Sequence, residues 1–251
     1  KLMSTNEMNK IIIMASVWLL MAGCVTHDVA NQVAGKLPEL GVGLHREAIS
    51  VPDVGAVKYT IRVDDSYNSS TPAPLVLVLH HGYDGPKPEA YTGTAMMEKF
   101  MGGVREIGGI AIAPDALGGD WSSTNNEHSA VWLVNSAMNT YNIDANQIYV
   151  IGYSMGGAGT LHIAGRHQDL FTGAIPAGAP VTGTTKWTIP VYVIHSTQDE
   201  LIPFSAAKSH AASIEAAGGT IQFKTVNDLT HFEVSSYDTY VVEGVKWLRA
   251  Q

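Results

Sequence analysis

From residue 57 onward the chain follows two alternating rhythms of apolar and polar positions. Val57–Val63 places apolar side chains at every second position, the pattern of a strand with one wet face. Leu75–Leu79 reads LVLVL with no polar break, as a strand covered on both faces does. Ile110–Ala113, Ile148–Ile151 and Val191–Ile194 are of the same buried kind, and Ile221–Val226 alternates again. Helical spacing fills the gaps. Glu89–Ile107 carries Met96, Met97, Phe100 and Val104 on one face, and Glu127–Thr140 carries Val131, Leu133, Val134 and Met138. A helix is predicted over Gly157–Arg166, another from an N-capping Ser205 to near Gly218-Gly219, and a last one over Ser236–Ala250. Buried strands alternating with helices predict an α/β fold: a mostly parallel central sheet with helices on both faces. Pro176, in GAIPAGAP, fits poorly in a central strand, so the strand there is predicted to be short or to end at Ile175. There is no internal repeat and no compositional break, which predicts one domain over residues 51–251.

The first 50 residues have another character. Met8-Asn9-Lys10 places a basic residue before the apolar run Ile11 to Ala22, which is too short to span a bilayer as a helix. A charged start, an apolar middle and small residues at the end form the layout of an export signal. Residues 20–24, LMAGC, resemble a bacterial lipoprotein cleavage box, which implies lipidation of Cys24 and a place in the cell envelope or outside the cell. Met21 departs from the usual leucine, and ordinary cleavage or a buried N-terminal helix are the alternatives. Residues 1–7 read as extraneous to this signal, residues 1–23 as the signal segment, and residues 24–50 as an N-terminal tether.

Composition narrows the partners. Hydrophobic residues make up 45% and charged residues 15%, enough for a large core and too apolar for disorder. The net charge of -8 comes with no basic cluster, which argues against nucleic acid. Cys24 is the single cysteine, so no disulfide forms within the chain.

One buried strand ends in an unusual way. Ile148-Tyr149-Val150-Ile151 runs into Gly152-Tyr153-Ser154-Met155-Gly156 and then into a helix. A serine that is to meet substrate must protrude from a very tight strand-to-helix turn. Side chains two before and two after would collide across that turn, and Gly152 and Gly156 remove them. A serine hydroxyl also needs a base, and the base needs an orienting acid. Asp199 falls in HSTQDELIP, directly after the strand Val191–Ile194; Glu200 and Asp228 compete with it on weaker position. His231 falls in NDLTHFE, between the last strand and the last helix. Among the other histidines, His162 and His167 lie on the helix after the serine, where surface histidines are common. His210 lies inside a helix, and His195 ends a strand near the site and is expected to hydrogen-bond in its loop. Two backbone N–H groups are needed for a developing oxyanion. Met155, after the serine, supplies one; Tyr83, after His81-Gly82, is the candidate for the other. His80 and His81 have no third ligand at zinc spacing, so no metal site is predicted.

HHGYDG, GYSMGG, HSTQDELIP and DLTHFE, in that order over residues 57–251, resemble the α/β-hydrolase superfamily, and within it the compact esterases: feruloyl and acetyl-xylan esterases, the phospholipase/carboxylesterase group and secreted polyhydroxybutyrate depolymerases. The resemblance implies an α/β-hydrolase fold and a serine carboxylesterase with Ser154, Asp199 and His231 as its triad, needing no cofactor or metal. Its substrates would be short-chain, aryl or polymeric esters. The stretch before Val191 is short, so no large lid is expected. Trp121, Trp187 and Phe232 are candidate pocket walls, with core packing as the alternative for the tryptophans. A serine peptidase or a thioesterase on the same scaffold, or a catalytically inactive ligand-binding surface lipoprotein, are the rival readings. Oligomeric state is not encoded in any of these features.

Overall fold

The computed structural model describes residues 35–82, 90–180 and 183–251. The chain divides into two compact units, Lys1–Val33 and Ala34–Gln251, and the described residues all belong to the second. The predicted export signal and Cys24 lie outside the described residues.

Eight strands form one sheet: β1 (Gly43–Val51), β2 (Gly55–Val63), β3 (Ala73–Leu79), β4 (Ile110–Pro114), β5 (Ile143–Tyr153), β6 (Gly173–Ala177), β7 (Val191–Ser196) and β8 (Ile221–Val226). Their order across the sheet is β1-β2-β4-β3-β5-β6-β7-β8. The six strands from β3 to β8 are parallel, while β2 pairs antiparallel with both β1 and β4. The helices are α1 (Thr92–Lys99), α2 (Met101–Ile107), α3 (Thr124–Met138), α4 (Met155–Arg166), α5 (Phe204–Ala216) and α6 (Asp238–Leu248), with a 3-10 turn at Val234–Tyr237. This is the mostly parallel sheet that the buried strands predict.

Strand alternation divides the core in two. Leu75, Leu77 and Leu79 of β3 pack with Val131, Leu133 and Val134 of α3, Leu161 and Ile163 of α4, and Ile214 of α5. Val76 and Val78 point the other way, to Met96, Met97 and Phe100, to Val104 and Ile107 of α2, and to Val241 and Val245 of α6. Successive side chains of a strand serve opposite faces, so a strand covered on both sides is apolar throughout.

Several boundaries differ from expectation. The helix predicted over Glu89–Ile107 breaks at Phe100, where α1 ends and α2 begins. Asp238, at the start of α6, accepts the Gly102 and Gly103 amides at 2.7 and 2.8 Å and so caps the second piece. Helix α5 begins at Phe204 after Pro203, with no side-chain cap from Ser205. Strand β6 continues through Pro176 to Ala177. Its Ala174 and Gly178 amides donate toward β7, to Pro190 and Ile194, so the missing N–H of Pro176 falls on that side. The ladder to β5 keeps its register from Gly173 to Ala177, while pairing to β7 is confined to Ala174 and Ala177. Proline therefore costs one bond to one neighbour.

The described part of the tether predicted over residues 24–50 belongs to the domain. Leu37 is buried and its amide donates to Thr140 Oγ1 at 2.8 Å, and residues from Gly43 belong to the sheet. The domain thus starts before residue 51. Strand β1 carries a mixed signal: its covered positions include polar His45 and Glu47 beside apolar Ile49 and Val51, while Leu44 faces out.

Topology fixes where a ligand can sit. From β3 the chain moves to β4 on one side, then returns to place β5 on the other side of β3. In open α/β sheets the ligand crevice lies at such a reversal, beyond the carboxyl ends of the strands. Here that is the gap beyond Leu79 and Gly152, which are partners in the β3–β5 register.

Candidate active site

Ser154 stands at this reversal. It links β5 to α4 with φ 53° and ψ -117°, a conformation that L-residues rarely adopt and that costs about 1–3 kcal/mol. The turn tolerates no side chain on its glycines: a Cβ on Gly152 would lie 2.2 Å from the Gly156 carbonyl oxygen, and one on Gly156 would lie 2.1 Å from that of Leu79. The Ser154 amide donates to Ala177 of β6 at 2.9 Å, which ties the strained residue to the sheet.

His231 and Asp199 converge on it. His231 Nε2 lies 2.8 Å from Ser154 Oγ. Its Nδ1 lies 2.8 Å from Asp199 Oδ2. Asp199 Oδ1 accepts the amides of Leu201 and Ile202 at 3.0 and 2.8 Å. Burial pushes the Asp199 carboxyl up, but the His231 ring and these amides outweigh it and hold the group below its usual range. The side chain has no solvent exposure, so the carboxylate keeps one geometry. Ser154 Oγ–H can give its proton to Nε2 while Nδ1–H stays directed at Asp199.

The sequence alone did not reveal how firmly His231 is gripped. Tyr153 Oη donates to the His231 carbonyl oxygen at 2.9 Å, and the two rings lie 5.3 Å apart. Glu200, in sequence only a rival acid, accepts the His231 amide at 2.9 Å. Glu233 closes the turn before it by accepting the Thr230 amide at 2.7 Å and the Thr230 hydroxyl at 2.8 Å. The only hint was Tyr153's place within the glycine-serine pentad.

Of the two expected oxyanion donors, Met155 begins α4, where helix N–H groups are free to face an anion. Tyr83 lies outside the described residues. Gly82 runs beside Met155, since a Cβ there would touch Met155 Cβ and Sδ at 3.7 Å. The loop after β3 is anchored from behind: His80 Nε2 accepts the Ala116 amide at 3.0 Å, and Trp121 Nε1 donates to the His80 carbonyl at 2.9 Å.

The predicted pocket walls divide. Phe232 is 64% exposed with its ring 6.0 Å from that of His231, open to a substrate. Trp121 is buried against His80 and Gly159 and offers no free face; it packs behind the site. Trp187 packs near Gly165, at the end of α4, and Gly219, just before β8. Both positions belong to the amino-terminal edge of the parallel strands, opposite Ser154, so Trp187 is a core residue.

His162 and His167 are not free surface groups. Their Nε2 atoms lie 2.9 and 2.8 Å from the Glu127 carboxylate, which also takes Arg166 Nε at 2.7 Å. Burial pushes Glu127 up, but these donors outweigh it and hold the carboxyl far below its usual range. The cluster fastens α4 to α3. Among the described residues no group of three or more His, Cys, Asp or Glu side chains is placed to hold a metal ion. A polar cleft of about 510 Å³, with Gln147, Thr172 and Thr220 in its walls, opens at the amino-terminal edge and contains none of the candidate residues.

Comparison with known proteins agrees with this architecture. The dienelactone hydrolase family model matches residues 77–245. A probable feruloyl esterase C of Aspergillus niger is 24% identical over 203 residues, 78% of this chain and 72% of that protein. A thermostable esterase superposes with a TM-score of 0.69 at 21% identity, over 83% of this chain and 63% of that one, so the chain spans just under two thirds of that enzyme. An α/β serine hydrolase without lid from Xanthomonas campestris superposes with a TM-score of 0.64 at 15% identity, over 86% and 100%. The chain belongs to the dienelactone hydrolase family and is a carboxylester hydrolase on the α/β-hydrolase fold.

Proposed function

We propose that the chain hydrolyses short-chain or aryl carboxylic esters through Ser154, His231 and Asp199 and a covalent acyl-enzyme. The observation that carries this reading is the continuous line from Ser154 Oγ to His231 Nε2, at 2.8 Å, and from His231 Nδ1 to Asp199 Oδ2, also at 2.8 Å. His231 takes the Ser154 proton as Oγ attacks the ester carbonyl carbon. The carbonyl oxygen becomes an oxyanion, held by the Met155 amide and, in this proposal, by that of Tyr83. When the tetrahedral intermediate collapses, the C–O bond to the alcohol breaks and His231 returns the proton to the leaving oxygen. Water then attacks the acyl-enzyme by the same route, and the acid departs. Asp199 stays ionised throughout and orients the imidazole.

The substrate class rests on the open approach. Only 13 residues join Ala177 to Val191, and no helix is inserted there among the described residues. Exposed Phe232 beside His231 offers an aromatic edge to an aryl acyl group, and similarity to a feruloyl esterase points the same way. The test is kcat/KM over p-nitrophenyl esters from acetate to decanoate, with methyl ferulate and a polymeric ester beside them. A maximum at acetate or butyrate, or on the ferulate, supports the reading; a maximum at decanoate contradicts it. The Cys24 motif supports a further proposal, export as an envelope lipoprotein, which metabolic labelling with a fatty acid would test: label lost in Cys24→Ala supports it, and an unlabelled parent chain overturns it. No described helix is long and apolar enough to cross a membrane.

A further inference from the structure

We propose that His195 is a positioning residue for the catalytic acid, holding the Asp199 carboxylate in register with His231. This rests on the proposed role of Asp199 as that acid. His195 lies in β7, next to its last residue, with no solvent exposure. Its Nε2 is 3.0 Å from the Ile202 carbonyl oxygen, so Nε2–H donates there and draws the turn 196–202 closed. The same nitrogen is 3.7 Å from Asp199 Oδ2, the oxygen that accepts from His231 Nδ1. The Nε2–H edge of the ring therefore faces the same carboxylate oxygen that the base holds.

The other ring nitrogen makes the case. With the proton on Nε2, His195 Nδ1 is a bare acceptor, and it is buried with no hydrogen-bond partner among the described residues. Buried polar atoms are nearly always paired, so an orphan needs a reason. The ring's apolar contact, Phe204 at a centroid distance of 6.2 Å, would suit a leucine or phenylalanine as well. A site chosen for packing alone would not keep a histidine. A site that must present one N–H to Ile202 and Asp199 together, on a rigid ring, would keep it despite the orphan atom.

The test compares His195→Leu, His195→Gln and His195→Asn. Gln carries its amide about as far as Nε2, whereas Asn reaches only the Nδ1 position. The expected result is a kcat at least tenfold lower in His195→Leu and His195→Asn, with KM within about twofold, and kcat largely retained in His195→Gln. The far-downfield proton resonance of the His231 Nδ1–H···Asp199 bond should broaden or vanish in the first two and persist in the third. A purely structural role would lower the melting temperature and leave that resonance in the folded fraction. An unchanged resonance with kcat within twofold in His195→Asn would overturn the proposal, as would equal losses in Gln and Asn. If His195→Leu fails to fold, the Gln and Asn pair still decides. The underlying assignment fails separately: Asp199→Asn would then match the parent enzyme whatever His195 does.

Discussion

Tyr153 Oη donates to the carbonyl oxygen of His231 at 2.9 Å, so the residue before the serine holds the loop of the base 78 positions later. Burial pushes the Tyr153 phenol far up, so it remains a donor at any working pH. The bond couples the two parts of the site that must stay in register. Tyr153→Phe keeps the ring packing against Phe100 and Tyr237 and removes the hydroxyl, with this bond and its interaction with Tyr237. The expected loss in kcat is about tenfold, or about 1.4 kcal/mol of barrier. Steady-state kinetics with p-nitrophenyl acetate, beside thermal melts to show that the fold survives, checks it.

Glu200 accepts the His231 amide, but it is exposed, and water can replace it. A smaller effect follows: Glu200→Ala should lower kcat/KM about threefold, about 0.7 kcal/mol, within the usual net worth of one hydrogen bond. Glu200→Gln keeps an acceptor and should stay near the parent value. If Glu200→Ala were instead as damaging as Asp199→Ala, Glu200 would be the acid.

Gly156 meets the end of β3 too closely for any side chain, since a Cβ would sit 2.1 Å from a backbone oxygen. Gly156→Ala forces the turn or the strand to shift, at a cost of about 3 kcal/mol or more. Denaturant melts should show that loss together with loss of turnover. By contrast Gly118→Ala, where nothing lies within 4 Å but φ is 116°, should cost only its backbone strain, about 1 kcal/mol.

Glu127 predicts acid sensitivity. Its folded carboxyl is held below the ordinary value of 4.5, so the unfolded chain takes up that proton first. Its stabilising contribution is complete above about pH 5 and declines as the pH falls through 4.5 toward the folded value. Melting temperature should drop over that range. In Glu127→Gln the drop should be shallower and stability at pH 7 lower by about 2 kcal/mol, the scale of hydrogen bonds to a charged group. Identical acid slopes in both proteins would remove Glu127 from the account.

Buried parallel strands were the easiest part to foresee, because both faces demand apolar residues and Leu75–Leu79 has no other use. The glycine-serine pentad was equally legible, since Gly152 and Gly156 answer a steric need that sequence spacing expresses directly. Strand β1 was not, because this edge strand covers polar His45 and Glu47 on the same face as Ile49 and Val51 and exposes Leu44, which blurs the usual alternation. Trp187 and Trp121 were ambiguous because composition cannot tell which end of a strand a loop residue packs against. The grip on His231 by Tyr153 and Glu200 was hidden for a related reason: backbone acceptors and donors leave no mark on residue identity.

The most direct measurement is mass-spectrometric mapping of a fluorophosphonate label on the intact chain and on His231→Ala and Asp199→Asn. One label per chain on Ser154, slowed at least a hundredfold in both variants, is the predicted result. A label on another residue, or an equal rate at Ser154 in all three proteins, would contradict the assignment of these side chains as a working triad.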